Sequence, residues 1–343
     1  MSIRNQPTLG TSFGISGASY FRAARRRGAL FRLECMCCTR TQRTAPRSLM
    51  ENSDTSAWQR LRGRLSRAFL ALLCAFSLLP EPASAADLKP QTIEAFERYA
   101  RLAEAQFDSE IAQRGPFLWL ERLPESRRAA MDAELRAGKV VIERLETREN
   151  DQRLEVPDGL IHHWIGTVFI PGATLAETLA LEQDYDHHRD FFHPDVARSK
   201  TLRRNGNDFE VELRFYKKKV ITTVLETEHE VHYEFIDSKH AWSRSRSTRI
   251  QEVDDAGKPD ERLEPVGHDR GFLWRMDTYW RFEEKDGGTY VESQSISLTR
   301  DIPTGLGWLI GPYVASVPRE SLTFTLATTR SAVLQRMSAH PGQ

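Results

Sequence analysis

The stretch from Pro318 to Met337 reads PRESLTFTLATTRSAVLQRM. Leu322, Leu326, Val333 and Met337 fall on one stripe at helical spacing, and Ala327 and Leu334 widen it. Pro318 suits a first turn, where its missing N–H has no partner to lose. From about Leu160 to Arg300 the chain alternates apolar and polar residues, as antiparallel strands with one buried face do. A long amphipathic helix after such a run must bury its stripe somewhere, and the sheet is the partner available. The expected class is therefore α+β: a curved antiparallel sheet around a long C-terminal helix, with a pocket between them.

The chain has 343 residues, enough for one large domain or two small ones. Its formal net charge is zero, but the two signs are not evenly spread. Residues 1–85 hold 13 of the 48 basic and 4 of the 48 acidic side chains, which leaves 35 basic against 44 acidic in 86–343. A body with nine surplus acidic groups is a poor partner for nucleic acid, which asks for clustered Lys and Arg. The cysteines are Cys35, Cys37, Cys38 and Cys74, so residues 86–343 have no disulfide, thiolate metal site or cysteine nucleophile.

Residues 1–49 are Arg-rich with little apolar periodicity, and read as a disordered leader or an upstream over-call of the start. After Met50 comes a basic segment with Arg60, Arg62, Arg64 and Arg67, then an apolar run from Ala68 to Leu79, then Ala83-Ser84-Ala85. Basic flank, short apolar run and small-x-small site form the pattern of a secretory signal peptide over 50–85. The run is too short to span a bilayer. The expected location is outside the cytoplasm, periplasmic or extracellular.

Pro90 to Gln113 repeats Ile93, Phe96, Ala100, Ala103 and Phe107 at helical spacing, and Gly115-Pro116 ends it. A second helix is expected from Glu125 to Arg136 and a strand from Lys139 to Thr147. Residues 86–148 thus read as a helical N-terminal extension, with 149–340 as the main domain. In that domain Leu160–Ile170 is the first strand. Thr174 with Glu177 forms a capping box for a short helix. A second short helix or turn runs to Phe192. Phe209, Val211, Leu213 and Phe215 alternate with polar neighbours. Val220–Ile236 is a long strand with an irregularity in its acidic middle. His240–Val253 follows, with Ser243, Ser245 and Ser247 on one face and Trp242, Arg244 and Arg246 on the other. In the next strand Phe272, Trp274, Met276, Trp280 and Phe282 are expected on one face. Asp286-Gly287-Gly288 is a hairpin signal before Thr289–Arg300.

This order of elements, with GTVFIPGATLAETLALEQDYDHHRDFFHPDVARSK at its entry and WRFEEKDGGTYVESQSISLTRDIPTGLGWLIGPYV at its exit, resembles the START-like (SRPBCC) superfamily over about residues 158–338. That superfamily includes lipid-transfer START domains, polyketide cyclases and birch-pollen-allergen-like proteins. The resemblance implies the helix-grip fold and a hydrophobic cavity between sheet and C-terminal helix. Small polar residues beside aromatics on the strand faces agree with such a pocket. The ligand-binding residues assigned to it are Trp164, Phe169, Ser245, Trp274, Met276, Trp280, Trp308, Leu326, Thr329 and Arg330. The expected ligand is a hydrophobic small molecule such as a lipid.

Other constellations carry less. Asp184 to His193 is dense in carboxylates and imidazoles, but consecutive side chains diverge, and the structural reading puts Tyr185 and Phe192 in the core. His162 and His163 point to opposite strand faces, as do His229 and His232. No Ser-His-Asp order, phosphate loop or HExxH stands out. The sequence thus calls for no catalytic residue, metal or cofactor. Residues 302–313, apolar but broken by Gly and Pro, suit a lip over the pocket or a peripheral membrane contact through Trp308. Two alternatives remain beside a carrier: a cyclase/dehydratase-type enzyme using an inward His or Arg, and a ligand-free interaction module whose N-terminal helices bind a partner.

Overall fold

The computed structural model describes residues 86–113, 115–218, 222–302 and 307–339, with 307–313 and 315 as backbone only. The leader and signal-peptide expectations for 1–49 and 50–85 lie outside the described residues.

Helix α1 spans Pro90–Ala112 and α2 spans Glu125–Arg136. Strands β1 (Val141–Arg144) and β2 (Gly159–Pro171) follow. Two short helices come next, α3 (Leu175–Glu182) and α4 (His188–Phe191). Then come β3 (Val196–Asn205), β4 (Asp208–Lys218), β5 (Thr222–Phe235) and β6 (His240–Asp254). The chain closes with β7 (Arg275–Lys285), β8 (Gly288–Arg300) and α5 (Gly307–Ala339). Among the described residues the main sheet is antiparallel, in the order β1-β2-β8-β7-β6-β5-β4-β3, with Arg262–Leu263 paired to β6.

Local chemistry sets the joints. Thr174 caps α3: its hydroxyl accepts from the Glu177 N–H at 3.2 Å, and the Glu177 carboxylate accepts from the Thr174 N–H at 2.8 Å. Asp286 and Gly287 both take positive φ, 55° and 75°, in the two-residue turn that joins β7 to β8. The expected irregularity in β5 is a register shift at Glu228/His229.

The sheet curls, and geometry requires it. Helix α5 touches β2, where Leu326 lies against Gly166, and also β4, where the Lys217 ammonium lies over the Phe324 ring at 5.6 Å. Those strands are five steps apart, about 24 Å in a flat sheet at ~4.8 Å per step. A helix with side chains is only about 10–12 Å across. The sheet must therefore wrap the helix, as the grip reading expects.

The opposite face is covered by the N-terminal helices. Phe96, Tyr99, Ala100, Ala103 and Phe107 of α1 pack on Trp274, Tyr279, Ile296 and Leu298. Leu118, Leu120 and Leu135 pack on Val141, Phe169 and Tyr290. Arg281 of β7, 2% exposed, sits inside this layer between Glu110 of α1 at 2.6 Å and Glu292 of β8 at 2.8 Å, over the Phe107 ring. The apolar stripe of α1 is thus spent on its own sheet rather than left for a partner. The extension is also not a separate body, because β1 hydrogen-bonds to β2 as an edge of the same sheet.

Three expectations need correcting. Helix α5 begins at Gly307, not Pro318, so Pro318 lies inside it, where its ring offers no N–H to the Val314 carbonyl. The stretch 302–313 is accordingly helical from Gly307 onward rather than a loop throughout. The strand expected at 139–147 is confined to Val141–Arg144.

Candidate functional site

Between the curled sheet, α3–α4 and the first half of α5 lies a cavity of about 780 Å³. That falls in the size range of small-molecule sites. As a sealed void it would cost about 19 kcal/mol at ~24 cal/mol per Å³, more than a whole domain's stability. It therefore holds solvent or a ligand.

One wall exists because side chains there are small. Ser243 and Ser245 of β6, Thr278 of β7, and Ser293, Ser295, Ser297 and Thr299 of β8 all line the cavity. The register places them side by side: Ser295 faces Thr278, which faces Ser245. The next row runs Ser293, Trp280, Ser243 and Tyr233. Leucines or isoleucines at these inward positions would fill the space; hydroxyls leave it open. Ser293 is fully buried, and its Oγ has no hydrogen-bond partner among the described residues. The facing wall is apolar, with Val211, Leu213 and Phe215 of β4, Val231 of β5, and Leu322 and Phe324 of α5.

Polar groups gather where α3 and α4 close the cavity. Glu182 is 6% exposed and its Oε1 accepts from the Thr329 hydroxyl at 2.8 Å. Burial pushes its carboxyl up to about 7. The Tyr185 and Tyr233 hydroxyls bond to each other at 2.8 Å, and burial raises both phenols. His188 donates from Nε2 to the Glu182 carbonyl at 3.0 Å, and His229 pairs with the Thr227 hydroxyl at 2.9 Å. Burial pushes both imidazoles down to about 4, so they are neutral at pH 7. Two cations on the lining are already paired, Lys217 with Asp195 and Arg270 with Glu252 and Asp254.

Of the residues assigned from sequence, Ser245, Met276 and Trp280 line the cavity. Thr329 stands behind it and holds Glu182. Trp164 pairs with Ser295 and so shares the cavity face of the sheet, but packs into the core beside the cavity. Leu326 is wholly buried there, under Gly166. Arg330 donates to the Phe169 carbonyl at 3.1 Å. Phe169 lies on the outer face against Tyr290, because it is one residue out of phase with Val168 and Ile170. Trp274 is also outside: it precedes β7, and its indole donates to Asp269 at 2.9 Å within the α1 layer. The Trp308 side chain lies outside the described residues.

Neither His162 nor His163 lines the cavity. His162 pairs with Thr299 at 3.0 Å, and His163 lies between Tyr99 and Gln294, each at 2.9 Å. The acidic and imidazole groups of 184–193 disperse to separate partners. Asp184 takes His187 and Arg336, and Asp186 takes the Thr201 N–H. Among the described residues no cluster of three or more His, Cys, Asp or Glu could hold a metal. Glu182 and the Tyr185–Tyr233 pair were not singled out as a site from sequence. A signal existed: Leu175, Leu179 and Glu182 share one helical stripe, so the acid sits where an apolar residue is due.

Strand, two short helices, an antiparallel run and a gripping C-terminal helix enclose one cavity. The fold is a START-like helix-grip fold. No family model matches the chain, and no curated relative matches it. Solved structures do resemble it, and these neighbours are START/SRPBCC domains. One is the Zhui aromatase/cyclase from Streptomyces, at 13% identity and TM-score 0.37, covering 54% of this chain and 100% of that one. Another is a STAR-related lipid transfer protein from Xanthomonas axonopodis, at 17% identity and TM-score 0.34, covering 55% and 98%. Human STARD10 covers 64% of this chain and 84% of its own, at 8% identity and TM-score 0.38.

Proposed function

We propose that the protein is an exported carrier that holds a hydrophobic ligand, such as a lipid, between its sheet and C-terminal helix. The observation that carries this reading is the 780 Å³ cavity, with an apolar wall on β4, β5 and α5 facing a wall of small hydroxyls on β6, β7 and β8. Export rests on the basic flank, the Ala68–Leu79 run and Ala83-Ser84-Ala85. The segment 302–313, whose residues from Gly307 onward belong to α5, is the part proposed to touch a membrane during loading.

The test is native mass spectrometry of protein purified from its own envelope, followed by organic extraction. A stoichiometric apolar molecule is expected, and its identity would name the cargo. A clean ligand-free mass would overturn the carrier reading. N-terminal sequencing of the same sample tests export, with Ala86 as the expected first residue.

One observation favours a second reading, a cyclase/dehydratase-type enzyme. Glu182 offers the cavity a carboxyl held near neutrality, as a general acid or base requires. That reading expects the extracted cargo to be turned over by the purified protein, and Glu182→Gln to abolish turnover.

A further inference from the structure

Among the described residues, the end of the cavity under α3 holds an acid with no cation beside it. Glu182 reaches the lining from the last turn of α3. Its one described side-chain partner is the neutral Thr329 hydroxyl of α5 at 2.8 Å. The influences on its ionisation are burial, which raises it, and that hydroxyl; among the described residues no lysine or arginine contributes. The nearby imidazole, His188, is neutral and gives its Nε2 hydrogen to the backbone. Carboxylates this deep are ordinarily paired, because an isolated buried charge is costly.

The surroundings suit the missing partner. Tyr185, Phe192, Tyr233 and Trp280 line the same cavity, and aromatic rings attract cations through their faces. The two tyrosine hydroxyls are committed to each other, and the Tyr233 hydroxyl also lies 3.4 Å from the Glu182 carbonyl, so neither competes for the carboxylate. An apolar tail would extend from this end along Val211, Leu213 and Leu322.

We propose that the ligand of this cavity is an amphiphile with a basic amine at its head, and that the head seats as an ammonium against the Glu182 carboxylate. This deepens the carrier reading and rests on it. A fatty acid would bring a second anion to the same place and bind worst. A neutral alcohol would bind through its tail and hydrogen bonds alone.

The experiment uses the purified protein with Nile red as a neutral cavity dye, displaced by dodecylamine, dodecanol and dodecanoate. Dodecylamine is expected to bind at least about tenfold tighter than dodecanol, with dodecanoate weakest. Glu182→Gln should bring the amine down to the level of the alcohol while leaving dodecanol and Nile red unchanged. Because the body is acidic overall, Glu134→Gln on the exposed face of α2 serves as the charge-matched control and should leave the amine's advantage intact. If Glu182→Gln does not fold, the order of the three probes on the unaltered protein still decides. An amine that binds no tighter than the alcohol, with the dye displaced normally, overturns the ammonium site and leaves the carrier reading standing. Failure of both Nile red and dodecanol to bind overturns the carrier reading, and the ammonium site with it.

Discussion

The grip of the sheet on α5 can be tested at one contact. Gly166 in β2 has no side chain where Leu326 of α5 lies against the strand. A Cβ built there would lie 2.7 Å from Leu326 Cδ1, 3.0 Å from Ile142 Cγ1 and 3.3 Å from the Val141 carbonyl. Replacing a strand glycine by alanine normally gains about 0.4–1 kcal/mol by restricting the unfolded chain. Here overpacking should outweigh that gain, since it costs about 1–3 kcal/mol in a filled core. Gly166→Ala should therefore destabilise. Leu326→Ala should cost about 2–5 kcal/mol, because Leu326 is wholly buried. In the double variant the nearest obstacle is gone and the new methyl enters the void. The two costs should then fall short of their sum by at least about 1 kcal/mol, beyond the ~0.5 kcal/mol scatter of independent sites. Urea unfolding at constant m reads all four corners of the cycle. Costs that add within that scatter, or a Gly166→Ala variant more stable than the parent, would refute the close approach.

Three further outcomes are expected. Arg281→Ala should cost about 3–5 kcal/mol in thermal or urea unfolding, because it leaves the buried Glu292 without its cation and Glu110 with only the more distant Arg122 at 3.9 Å; an effect below about 1 kcal/mol would contradict the buried pairing. Ser293→Ala should stabilise the ligand-free protein by about 1 kcal/mol, since the hydroxyl it removes has no partner; a loss of stability would mean the hydroxyl is satisfied. The pH profile follows from buried groups of both kinds. His162, His188 and His229 are pushed down to about 4 and His163 to about 3 by burial, so their contribution is present above pH 6.5 and is lost as pH falls from there towards 4, where only the unfolded chain takes up protons. Glu182 has the opposite sign: its raised carboxyl costs stability once the unfolded chain ionises above pH 4.5, and the cost is fully developed above about 7. Glu182→Gln should thus raise the melting temperature at pH 8 and leave it nearly unchanged at pH 4; equal shifts at both pH values would count against a buried, uncompensated acid.

Much of this architecture was legible because alternation reports which face a side chain takes. The inward serines of β6 and the inward Met276 and Trp280 of β7 follow directly from period two. Trp274 went to the wrong face because regular pairing of β7 begins only at Arg275, and alternation says nothing across a bend. Phe169 failed for a different reason. Strand β2 is covered on both sides, so its run of apolar residues carries no face information. The start of α5 was misplaced because Pro318 matches the usual first-turn position, while packing against the sheet tolerates it inside the helix. Glu182 was hidden by its own neighbours. A capping box and a short apolar helix explain the segment locally, and only the tertiary fold brings α3, Tyr233 and Thr329 together.

The sheet divides its labour between its two sides. The side under α1 is closed by the Arg281 ion pairs and by large aromatic side chains. The side towards α5 lines the cavity with seven small hydroxyl-bearing residues, Ser243, Ser245, Thr278, Ser293, Ser295, Ser297 and Thr299. Exchanges among those positions change the shape and polarity of the chamber without touching the contacts that hold the strands against α1. A lineage, or an engineer, could retune what such a chamber accepts one hydroxyl at a time while the scaffold behind it stays the same.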